Sequence, residues 1–217
     1  MRFAATALTV IAFFGPASAH AGPPAKGGLL DRLTAPASRF SPEDEAIVRR
    51  ANVALNAIKT MKGNFQQISE QGFSRGTFYL SRPGKLRFEY DNAPILFVVD
   101  GSWVSVDDKK LKVVNRYPLD STPLRFLLKN EVDLARDTIV TLIERLPGQV
   151  RISLRDATNL SQGELTLVFN EASFDLEQWI VVDAQGTRTT IRLQNVETGM
   201  VLLPKLFVVV DYGYEGR

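Results

Sequence analysis

The stretch Gly76-Thr77-Phe78-Tyr79-Leu80-Ser81-Arg82-Pro83-Gly84-Lys85-Leu86-Arg87-Phe88-Glu89-Tyr90 carries two strands and the turn between them. Leu86, Phe88 and Tyr90 alternate with Arg87 and Glu89. That period of two gives a half-buried strand with one apolar face. Arg82-Pro83-Gly84-Lys85 has the composition of a turn, because Pro presets φ and Gly accepts a positive one. Outward from this unit the pattern continues. Asn64 to Ile68 precedes it, and Ile95 to Val99, which includes Phe97, is a continuous apolar run ending in the hairpin signal Asp100-Gly101. Trp103 to Val106 follows, then a charged turn at Asp107 to Lys110 and a strand from Leu111 to Arg116. Further strands are expected at 138–144, 150–154, 165–169, 179–182, 187–196 and 206–210, separated by turn residues such as Pro147-Gly148 and Gly163.

Helical signals are few. Ser41-Pro42-Glu43-Asp44 is a helix start: an N-cap, a tolerated first-turn proline and acids that complement the positive end of the helix dipole. Ile47, Ala51, Ala54, Leu55, Ile58 and Met61 recur at helical spacing, and Gly63 supplies a stop. Thr122-Pro123-Leu124-Arg125-Phe126-Leu127-Leu128 reads as a short helix among strands, capped by Thr122. A turn of helix is also allowed at Leu29 to Leu33. The expected class is mainly β, of α+β type, with about eleven mostly antiparallel strands in one large curved sheet and helices against it.

Composition narrows the function. The 217 residues contain no Cys and one His, which excludes thiol chemistry, iron–sulfur clusters and His-rich metal sites. A net charge of +2 with no basic block gives no argument for nucleic acid. There is no nucleophile elbow, Walker A loop, dinucleotide-binding glycine motif or HExxH. Two carboxylates that meet only in the fold would leave no local motif, so an enzyme on this sheet stays open as an alternative. Asp107-Asp108 and Glu43-Asp44-Glu45 are expected as solvated charge in a turn and a helix start.

Residues 1–19 read as a secretory signal peptide: Met1-Arg2, an apolar run from Phe3 to Phe14, then Ala17-Ser18-Ala19. The run is about twelve residues, short of the ~20 that span a bilayer. Cleavage after Ala19 removes one base and no acid, so the charge falls from +2 to +1, and His20 becomes a terminal residue in a flexible leader over 20–40. No Cys follows the cut to take a lipid, so the mature protein is expected unanchored. Residues 41–217 are expected to form one domain. Thirteen Phe, five Tyr and two Trp spread over the strands either pack beneath the helices or leave part of one face as an apolar ligand cavity.

One series of motifs resembles a known family. Phe65-Gln66-Gln67 after a helix, the Gly76-to-Tyr90 unit with its Arg82-Pro83 step, Val99-Asp100-Gly101-x-Trp103 and Thr122-Pro123-Leu124 resemble the periplasmic outer-membrane lipoprotein carriers, the LolA family. Lys205-Leu206-Phe207 also suits that pattern. The resemblance implies an unclosed antiparallel β-barrel with a long N-terminal helix and short lid helices over an apolar cavity. It implies acylated lipoproteins as cargo, an inner-membrane lipoprotein-releasing ABC transporter complex as donor, and an outer-membrane acceptor or the outer membrane itself as destination. It implies a monomer that binds no cofactor, metal or nucleic acid. Arg82 takes the position that bonds to the lid helices in the closed state. Leu86, Phe88, Tyr90, Phe97, Val99, Trp103, Leu124, Leu127 and Leu128 are the expected acyl-chain lining. A carrier-like relative with another apolar ligand, or one that senses lipoproteins, is the competing reading.

Overall fold

The structure, a computed structural model, describes residues 40–158, 160–209 and 212. The signal peptide, the leader through Ser38-Arg39 with His20, and the expected turn at Leu29 to Leu33 lie outside the described residues.

The chain opens with α1 (Pro42–Ala57) and continues through β1 (Thr60–Ser69), β2 (Gly72–Ser81), β3 (Lys85–Tyr90), β4 (Ile95–Asp100), β5 (Trp103–Asp108) and β6 (Val113–Pro118). A 3₁₀ turn (Leu119–Ser121), α2 (Leu124–Leu128) and α3 (Leu134–Asp137) lead to β7 (Thr138–Leu146), β8 (Gln149–Asp156), β9 (Glu164–Asn170), β10 (Leu176–Val182) and β11 (Arg188–Thr198). The eleven strands form one sheet in the order β6-β5-β4-β3-β2-β1-β11-β10-β9-β8-β7. Every neighbouring pair is antiparallel. The first strand pairs with the last, so two meanders join at the middle of the sheet and leave β6 and β7 as its free edges. The sheet is an unclosed barrel, and residues 119–137 cross between its edges.

Alternation sets the two faces. Phe78, Leu80, Leu86, Phe88, Tyr90, Phe97, Val99, Val104 and Val106 enter one concave cluster with Ile47, Val48, Ala51 and Leu55 of α1. The unbroken apolar run at β4 follows from burial on both faces. Leu96 and Val98 point outward and are covered by Phe207, Leu202, Leu206 and Val209.

Four expectations about the elements are corrected. The long helix ends at Ala57, and Met61 and Gly63 belong to β1. Met61, Gly63 and Phe65 also fit an inward period of two, and Gly63 is demanded by space: a Cβ there would lie 2.7 Å from the Gln194 carbonyl oxygen and 2.9 Å from the Phe78 ring. Leu206 to Val209 is not a strand. Pro204–Phe207 forms a 3₁₀ turn over the outer face of β3 and β4, whose ladders are already paired on both sides. Asp107 is not solvated turn charge, because β5 runs through it and its buried carboxylate accepts from the Tyr212 hydroxyl at 2.8 Å. The start of α2 also differs slightly, with Pro123 rather than Thr122 at the cap position.

Around α1 the sequence reading holds locally. Ser41 Oγ accepts from the Asp44 amide at 3.1 Å, as an N-cap should. Asn56 grips the backbone of Val132 through two bonds of 2.8 Å, and Asn52 accepts from the Leu134 amide at 3.0 Å. The helix thereby fixes the far end of the segment that crosses the open side of the barrel.

Candidate functional site

The concave face gathers eight of the nine residues expected to line it. Leu86, Phe88, Tyr90, Phe97, Val99, Leu124, Leu127 and Leu128 are all buried in the same cluster. Phe88 is its hub. Its ring lies 4.7 Å from Phe65, 5.8 Å from Phe97, 6.1 Å from Trp179 and 6.2 Å from Phe78, mostly edge to face. Trp179 comes from β10, so Phe88 ties together the two meanders. Tyr90 buries its ring 5.1 Å from Phe65 and donates its hydroxyl to Gln67 Oε1 at 2.7 Å. Burial pushes the Tyr90 phenol far up, so it stays a neutral donor.

Trp103 is the exception. It precedes Val104 by one residue, and on a strand that places it on the opposite face. It is 46% exposed and lines an outer groove with Ser105, Arg116 and Phe207. The motif spacing that singled it out carries no information about its face.

Phe65, Phe126 and Trp179 are buried in the same cluster but are not among the expected lining residues. Phe65 had a signal, since it continues the inward period through Met61. Trp179 becomes adjacent to Phe88 only when the sheet curls.

The short helix α2 is set into this face. Leu124, Phe126, Leu127 and Leu128 are buried, and Arg125 is its one charged residue. The Leu128 carbonyl accepts from the Gly84 amide at 2.8 Å, which docks α2 on the β2–β3 turn. Gly84 has φ +74°, and a Cβ there would sit 2.7 Å from Gly101 Cα. Both the conformation and the close approach require glycine.

Arg82, on the cis peptide to Pro83, is 8% exposed. Its Nη1 donates to the Leu55 carbonyl near the end of α1, while its own amide donates to the Lys59 carbonyl at 2.9 Å. Nε and Nη2 find no acceptor among the described residues. Burial lowers the guanidinium to about 10, still protonated at neutral pH. Arg82 therefore holds the end of the long helix, and Gly84, two residues on, holds the short one.

Arg125 Nη2 donates to Asp156 Oδ1 at 2.7 Å. Asp156 also accepts from the Ser161 and Thr158 amides, at 2.7 and 2.8 Å. Burial alone raises a carboxyl, but these bonds and the Arg125 charge outweigh it and hold Asp156 at about 2. A depressed native pKa contributes stability above the unfolded value, near 3.9, and loses it as pH falls through the native one. We predict that about 2 kcal/mol of folding stability disappears between about pH 4 and about pH 2 through this residue. Urea midpoints measured across that range should fall less steeply in Asp156→Asn; equal slopes would refute the assignment.

Among the described residues, no helix is long and apolar enough to cross a membrane and no acidic or histidine cluster is arranged to hold a metal. A family model for the outer membrane lipoprotein carrier protein LolA matches residues 56–210. No curated relative matches the chain. Similar solved structures include a LolA superfamily protein from Nitrosomonas europaea, at 8% identity and TM-score 0.46, covering 76% of this chain and 97% of that one. A DUF1329 family protein from Desulfovibrio piger has 10% identity and TM-score 0.48, with 76% and 96% covered. A chain of the MucA/MucB complex from Pseudomonas aeruginosa has 14% identity and TM-score 0.40, with 77% and 61% covered. Family membership rests on the sequence match, which runs from the end of α1 through the whole sheet: the chain belongs to the LolA family of outer membrane lipoprotein carrier proteins.

Proposed function

We propose that this protein is exported to the periplasm by cleavage of residues 1–19 and carries lipoproteins by their acyl chains from the inner to the outer membrane. LolA family proteins are periplasmic, and members of the superfamily are binding or carrier proteins. The observation that supports the finer reading is the continuity of the apolar cluster from the sheet to α2. Each buried CH₂ is worth ~0.8 kcal/mol, so an acyl chain of about sixteen carbons brings on the order of 13 kcal/mol of transfer free energy. An acyl chain that enters beneath α2 replaces contacts of Leu124, Phe126, Leu127 and Leu128 with contacts of its own. Net affinity is the difference between two apolar packings, which keeps release feasible. The proposed donor is the lipoprotein-releasing ABC transporter complex, and the proposed destination is an outer-membrane acceptor or the membrane itself, by analogy with the carriers that give the family its description.

The test is isolation of the protein from the periplasm of envelope-intact cells, with bound lipid and protein identified by mass spectrometry. Triacylated lipoprotein at stoichiometric amounts is the expected result. Free fatty acid or phospholipid alone would favour a carrier of another apolar ligand, and no bound lipid of any kind would overturn the carrier reading.

A further inference from the structure

The helix α2 is attached to both halves of the open barrel, and the two attachments differ in kind. On one side the Leu128 carbonyl meets the Gly84 amide at 2.8 Å, a backbone bond beside a fully packed leucine. On the other, Arg125 meets Asp156 at the end of β8, near the opposite edge of the sheet. We propose that the Arg125–Asp156 pair is a releasable latch, and that α2 lifts from the concave face about its Gly84 attachment when the pair parts.

The local chemistry assigns the release to this side. Parting a buried ion pair ordinarily strands a charge. Here the Asp156 carboxylate keeps four other donors: the Ser161 amide at 2.7 Å and hydroxyl at 3.1 Å, and the Thr158 amide at 2.8 Å and hydroxyl at 2.7 Å. Arg125 is already 19% exposed along its side chain and opens onto a groove of about 390 Å³ lined by Gly84, Leu128, Lys129 and Thr158. Its guanidinium reaches water by rotating outward. Gly84 and Leu128 are both buried, so breaking their backbone bond would instead leave two buried groups unpaired, which is costly. The Lys129–Asp137 pair nearby is 41% exposed at the lysine, and Arg136 also binds Asp137, so it adds little hold.

The purpose of the latch rests on the carrier reading, but its existence is testable without it. Hydrogen exchange on the full chain reads the opening of α2 directly. Arg125→Ala should raise exchange over residues 124–128 at least tenfold and leave β3 and β8 protected, with Arg125→Lys intermediate. Unchanged exchange in Arg125→Ala overturns the latch. Loss of protection throughout the strands overturns it as well, since the pair would then be a general staple. Uptake of dansyl-undecanoic acid is measured on the same proteins. Opening of 124–128 with faster uptake supports latch and carrier together; opening with no uptake by either protein supports the latch and removes the carrier reading.

Discussion

Arg82→Leu is expected to stabilise the fold while impairing transfer. A guanidinium lowered from 12.5 to about 10 by burial costs about 3 kcal/mol to keep charged at neutral pH. Removing it forfeits one charge-assisted hydrogen bond to the Leu55 carbonyl, worth about 2 kcal/mol. That carbonyl still accepts from the Ile58 amide at 3.2 Å, so it is not orphaned. The net expectation is a gain of about 1 kcal/mol in urea unfolding. On the proposed carrier function, lipoprotein uptake or release should slow, because the side-chain bond from position 82 to Leu55 of α1 is lost and only the backbone bond to Lys59 remains. A loss of stability would show that the charge is compensated in the fold; unchanged transfer would show that the tie has no part in function.

Phe88→Ala should be the most destabilising single truncation of the concave face, by about 3–5 kcal/mol. The ring contacts four aromatic neighbours and joins β3 to Trp179 on β10, so the loss is felt on both sides of the barrel. Phe88→Glu adds an unpaired buried charge, at several further kcal/mol if the site stays dry. Near-native denaturation midpoints in either variant would mean that the face repacks easily around position 88. Phe88→Leu separates folding from binding: it keeps an apolar side chain, and acyl-probe affinity should change more than stability. Trp179 is 1% exposed and Trp103 is 46% exposed, so tryptophan emission reports the core and the outer surface separately.

The local reading of the chain failed where two periodicities fit the same residues. Met61 completes both a helical stripe and an inward strand pattern, and the helix in fact stops four residues earlier at Ala57. It failed again at Leu206 to Val209, where apolar composition signals burial but not whether burial occurs through a ladder or by lying across a finished sheet. Trp103 shows the converse error: a motif position was carried over without its face. Asp156 had no local signal, because its partner Arg125 lies 31 residues away.

What the sequence determined by itself was the strand succession as far as β11, the inward set Leu86, Phe88 and Tyr90, the glycine turn after Arg82 and the short apolar helix at 124–128. These depend on periodicity and on φ preferences, which act within a few residues. Only the tertiary structure decided that β1 pairs with β11, that Trp179 meets Phe88, that Arg82 reaches α1 and that Asp156 holds α2. Those contacts join residues far apart in the chain, and the curl of the sheet, which no short stretch encodes, sets which of them meet.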